Sequence, residues 1–140
     1  MPEKATMERA RRARRKGQAP STQAGEFVRE EVEHVREGKH GVRSMKQAIA
    51  IALSKARRAG VKLPPPGKGT SARTRRRAAR DSRKGQTGRV ARPSPKRSRA
   101  TLRALKREGR EAVSHAALAR QARESAARRS RQRQTNRARV

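Results

Sequence analysis

Glu30 and His34 stand four residues apart in the stretch VREEVEHVREGKHG. On a helix that spacing sets a carboxylate and an imidazole on one face, where together they could grip a metal ion. The remaining imidazoles are His40 and His115, and neither supplies a third or fourth ligand at a spacing that completes a coordination shell. The pair therefore reads as polar decoration on the solvated face of an amphipathic helix, and no metal site is expected. Glu30, Glu31, Glu33 and Glu37 crowd into the same stretch. Carboxylates can divide acid and base roles, but exposed ones among many arginines stay ionised and serve as ion-pair partners. With no cysteine there is no thiolate nucleophile, thiolate metal site or disulfide. Gly67-Lys68-Gly69-Thr70 has the look of a phosphate loop, yet Gly69 follows the lysine where Ser or Thr is needed, and position 62 is a lysine instead of glycine. No catalytic residue, no cofactor and no enzyme are expected.

What the sequence does offer is phosphate chemistry. Lys and Arg number 41 against 11 acids, for a formal net charge of +30. Inside a cell such a chain meets polyanions, and counterion release from nucleic acid is the largest driving force on offer. Arg presents a planar fork that matches phosphate and fits narrow minor grooves. The candidate contacts fall into four groups: Arg11, Arg12, Arg14 and Arg15 near the N-terminus; Arg43, Lys46, Arg57 and Arg58 in the middle; Arg73, Arg75, Arg76 and Arg77 beyond it; and Arg92, Lys96, Arg97 and Arg99 around a pair of prolines. Aromatics make up 1% of the chain, which argues against modules that stack bases of single strands. Arginine runs of this kind track backbones and do not read bases.

These groups need elements to carry them. Eleven of the nineteen large apolar residues (Val, Ile, Leu, Met, Phe) lie between Phe27 and Leu63. Phe27, Val28, Val32 and Val35 recur at helical spacing, with Ser21 or Thr22 as the expected N-cap and Gly38 as the stop. Met45, Ala48, Ile49, Ala52, Leu53 and Ala56 trace a second stripe, opened by Ser44 with Gln47 as a capping box and closed by Gly60 and the Pro64–Pro66 run. The short connection between them predicts an antiparallel helical hairpin over about 21–62. The fold class is mainly α: that hairpin, within a core unit 21–66, flanked by basic arms that are largely disordered or only conditionally helical. The arms divide into residues 1–20, a basic helix that frays by itself; 67–97, a disordered linker, extended from Gly85 to Ser98; and 98–140, a weak helix over 98–129 and a tail. In the weak helix Leu102, Leu105, Ala112, Val113 and Ala116 share a face and Gly109 weakens the middle. Ile51 lies off the main stripe of the second helix, which leaves room for a homodimer through the hairpin.

The string GEFVREE…REGKHG.RS.KQAIAI.LSKARRAGVKLPPP resembles an uncharacterised family of small, highly basic bacterial proteins, and that resemblance brings no catalytic or ligand residue with it. Ser94-Pro95-Lys96-Arg97 is similar to the Ser-Pro-basic-basic repeats of linker-histone tails, which bind AT-rich minor grooves; the resemblance implies an extended arm aiming Lys96, Arg97 and Arg99 at a groove. The function expected is non-sequence-specific, histone-like DNA binding by phosphate neutralisation, in the cytoplasm on a bacterial nucleoid. No apolar run is long enough for a membrane span, so no membrane partner is expected. An RNA- or ribosome-associated protein is the alternative within nucleic-acid binding. A protein-interaction adaptor using the acidic first helix is the alternative outside it.

Overall fold

Ser44 opens the second stripe as expected: its hydroxyl accepts the Gln47 backbone N–H at 3.1 Å, and Gln47 Oε1 in turn accepts from the Arg43 N–H. In a computed structural model, which describes residues 2–88 and 94–139, this helix spans Met45–Arg58 and is third of six. In chain order they are α1 (Lys4–Arg15), α2 (Pro20–Arg36), α3 (Met45–Arg58), α4 (Ala72–Gln86), α5 (Pro95–Lys106) and α6 (His115–Ala138), with a 3₁₀ turn at Glu111–Val113 before α6. The described residues contain helix and no strand. At the end of α3 Val61 N–H reaches Ala56 O and Gly60 N–H reaches Arg57 O, with Gly60 at φ 94°; this is the Schellman stop, and its left-handed residue favours glycine.

α2 packs along α3, and the seam divides into two apolar clusters. Phe27 and Ala24 meet Ala52, Ala56, Val61 and Ala10 in one; Val35 meets Val42, Met45, Ala48 and Val113 in the other. Ile51, which suggested a second, dimerising face, is half-buried against the Val35 cluster of its own chain. α2 begins two to three residues before the predicted cap: Ala19 is its N-cap and Pro20 its first residue, without a side-chain cap. Proline supplies helical φ and has no N–H to satisfy at that position, so neither Ser21 nor Thr22 is needed.

The segments on either side depart further from expectation. Residues 4–15 form a helix docked on α2, with Thr6, Ala10 and Ala13 buried. Small side chains at spacings of three and four let two backbones approach closely, and Met7 is the one large apolar residue of α1 that joins them against the core. Residues 72–86, within the predicted disordered linker, form α4 against α3. Its single buried residue is Ala78; the remaining purchase is polar and steric, with Ser54 Oγ donating to Asp81 Oδ2 at 2.8 Å and Gly85 lying against the Arg57 carbonyl. Of the extended stretch predicted over 85–98, residues 85–86 belong to α4, residues 89–93 lie outside the described residues, and 95–98 are helical, with Ser94 accepting the Arg97 N–H and Pro95 the first residue of α5. The predicted helix over 98–129 is broken after Lys106. There Leu105 O and Gly109 O accept the N–H groups of Gly41 and Val42, and Val113 enters the core. No helix among the described residues is long and apolar enough to cross a membrane.

Candidate functional site

The fold sorts the charges. On α1, burying Thr6, Ala10 and Ala13 turns Arg11, Arg12, Arg14 and Arg15 to solvent. On α4, Arg73, Arg75, Arg76 and Arg77 are exposed around the single buried Ala78, and on α5 Lys96, Arg97 and Arg99 are exposed in the first turns. Among the described residues none of these eleven enters an ion pair. Lys46 is exposed as well; Arg43 is exposed with Glu108 at 3.5 Å, and Arg58 has Asp81 at 3.8 Å. Arg92 lies outside the described residues.

One candidate contact and one candidate arm are placed differently from the sequence expectation. Arg57 is 8% exposed and donates through Nη2 to Pro64 O at 3.0 Å, so its guanidinium caps the chain after α3 and is turned away from any phosphate. The Ser94–Arg97 segment is helical, with Lys96, Arg97 and Arg99 splayed around a helix end in place of an extended arm.

Most acids are paired or buried within the molecule; Glu8, Glu111 and Glu124 are exposed and enter no ion pair among the described residues. Arg9 Nε donates to Glu26 Oε2 at 2.7 Å, Arg29 Nε to Glu33 Oε1 at 2.9 Å, and Lys39 Nζ lies 3.3 Å from Glu37 Oε2. The bond to Glu33 holds the Arg29 guanidinium above its ordinary pKa. Glu30 and Glu31, expected on a solvated face, are buried at 1% and 0% exposure. Glu31 stands four residues after Phe27 and four before Val35, in the middle of the buried stripe; that periodicity was the signal that placed it inward.

Around Glu31 lies a polar cluster built by α1, α2, α3 and the 37–44 connection. Lys55 Nζ of α3 donates to Glu31 Oε1 and lies 4.0 Å from Glu30 Oε1. The backbone N–H of Glu3 donates to Glu30 Oε1 at 3.3 Å. Glu3 Oε1 meets His34 Nε2 at 2.9 Å and Lys39 Nζ at 3.2 Å, and the His34 bond, then Lys39, holds the Glu3 carboxyl below its ordinary value. The bonds to Glu3, then to Glu37, hold the Lys39 ammonium above its own. His40 places Nε2 3.3 Å from Glu31 Oε2 and Nδ1 3.0 Å from Gly41 O. Sequence spacing joined Glu30 to His34 alone; chain folding adds Glu3, Glu31 and His40, from up to 31 residues away.

The profile of a family of unknown function (DUF6496) matches residues 3–69, the part of the chain that holds α1, α2, α3 and this cluster. No curated protein and no solved structure matches the chain.

Proposed function

We propose that the protein binds nucleic acid without sequence preference, neutralising phosphates with the arginines of α1, α4, α5 and α6, as a histone-like architectural protein of a bacterial nucleoid. The observation that carries this reading is the sorting of charge. Glu3, Glu26, Glu30, Glu31, Glu33 and Glu37 are drawn into internal pairs or into the core, while Arg11–Arg15, Arg73–Arg77 and Lys96–Arg99 are left exposed without acidic partners among the described residues. A surface of that kind attracts the dense charge of a duplex and gains by releasing its counterions. The near absence of aromatic rings favours duplex over single strands. The adaptor reading draws less support, since Glu26, Glu30 and Glu31 are engaged within the chain and only Glu33 and Glu37 of the acidic segment sit in exposed ion pairs.

Competition binding at one fixed salt concentration tests the proposal, with mixed-sequence duplex DNA, a structured RNA and single-stranded DNA as competitors. Duplex DNA is expected to displace the others, with little difference between AT-rich and GC-rich sequences because the Ser94–Arg97 segment is helical. Preferred displacement by structured RNA would move the protein to the RNA-associated class. Weak binding to all three would overturn the proposal.

A further inference from the structure

We propose that Glu31, His34 and His40 form a buried site for one divalent ion of the Zn²⁺ class, which fastens the 37–44 connection to α2. One ligand atom from each of the three lies within 4.8 Å of the others, and Glu3, Glu30 and His34 make a second such group that shares His34. The site is closed: the side chains of Glu31, His34 and His40 are 0%, 14% and 9% exposed. The fold thus shields the three groups from solvent, and a tetrahedral ion held by them takes its fourth ligand from water.

An independent observation points to a cation. Glu31 Oε2 and Glu30 Oε2 are buried with no hydrogen-bond donor among the described residues, although a buried carboxylate oxygen without a partner is costly. His40 sharpens the conflict. Its Nδ1 lies 3.0 Å from Gly41 O, and a carbonyl can only accept, so Nδ1 carries the hydrogen. In the neutral ring Nε2 then presents a lone pair, and it faces Glu31 Oε2 at 3.3 Å. Two lone pairs facing each other in a dry interior repel unless a second ring proton or a metal cation sits between them.

The 3.3 Å between His40 Nε2 and Glu31 Oε2 suits a shared metal ion. Zn–N and Zn–O bonds of about 2.0–2.2 Å place neighbouring ligands of a tetrahedron roughly 3.3–3.5 Å apart. Lys55 holds Glu31 Oε1 and leaves Oε2 to act as a single-oxygen ligand. An Nδ1–H donated to a backbone carbonyl is also the arrangement that orients a ligating imidazole and raises its basicity. Two imidazoles with a carboxylate favour Zn²⁺ and its late transition-metal neighbours over Mg²⁺ or Ca²⁺. The inference stands independently of nucleic-acid binding.

The test uses the full chain, freed of metal by a chelator and titrated with Co²⁺ as an optical probe and then with Zn²⁺. Expected are one equivalent of Co²⁺ with intense tetrahedral absorption, its displacement by Zn²⁺, and a Zn²⁺-dependent rise in Tm. His40→Gln and Glu31→Gln should each weaken binding by at least about tenfold. His115→Gln, on an exposed residue outside the cluster, should leave it unchanged. Circular dichroism without metal verifies that each variant is folded; should either ligand variant unfold, the wild-type Co²⁺ spectrum and Tm shift decide. No one-to-one binding by the wild type overturns the site. So does wild-type affinity in folded His40→Gln or Glu31→Gln, since that would assign the metal to surface groups.

Discussion

A buried carboxylate costs several kcal/mol in desolvation unless a cation and hydrogen bonds offset it, and Glu31 has Lys55 for one oxygen. Lys55→Met removes that cation and leaves two acids in the seam. The expected loss is about 3 kcal/mol in urea denaturation, the low end for a broken buried pair because Lys55 keeps 19% exposure. The double change Glu31→Leu, Lys55→Met should recover most of it; no recovery would mean the lysine acts through something other than that pair. Glu3 gives a pH dependence. Its carboxyl is depressed in the folded state by His34 and then Lys39, so the contact stabilises above the unfolded carboxylate pKa and is lost as pH falls through the lower folded value. The amides of Thr6 and Met7, followed by NMR, should shift in that acid window in the wild type and not in Glu3→Gln. Identical titrations in both proteins would remove Glu3 from the docking of α1.

At the scale of elements, the polar and steric docking of α4 is the feature most open to a single change. A methyl group on Gly85 would meet Arg57 O at 1.9 Å and Gly60 N at 2.9 Å, both backbone atoms that cannot swing aside. Gly85→Ala should therefore push α4 off α3 at a cost of about 1–3 kcal/mol, despite alanine being the better helix former. Hydrogen exchange should register lost protection over 72–86 with α2 and α3 intact. Gly67→Ala, where the added carbon meets nothing within 4 Å, is the matched control and should change little. Equal protection of α4 in both variants would show that the close approach is not what seats it.

For the whole molecule the question is where affinity lies. Arg73, Arg75, Arg76 and Arg77 are exposed and touch no acid, so replacing all four by Gln should leave the core alone. If each meets a phosphate, the slope of log affinity against log salt on duplex DNA should fall by up to about 3.6, at roughly 0.9 per contact. Arg57→Gln should do the reverse, lowering Tm through the lost bond to Pro64 O while the slope stays put. A slope unchanged in the quadruple variant would move the interface to α1, α5 and α6.

Local chemistry sufficed for part of this architecture. Ser44, Gly38, Gly60 and the spacing from Met45 to Ala56 act within one or two turns, so the helices at 20–36 and 45–58 and the excess of arginine outside them were legible in the residues themselves. The apolar count also concentrated the core there, because large side chains are what repay ordering entropy. Docking of α1 and α4 was not legible: it rests on Ala10, Ala13, Ala78 and Gly85, whose contribution is the close approach they permit and not any area they bury. The break at Gly109 was foreshadowed only as a weak point, since the carbonyls of Leu105 and Gly109 find the amides of Gly41 and Val42 more than sixty residues away in sequence. The polar cluster required the fold most of all. Linear spacing could pair Glu30 with His34, but only the return of α3 and the 37–44 connection brings Lys55 and His40 to Glu31, because a carboxylate's environment is set by what packs over it.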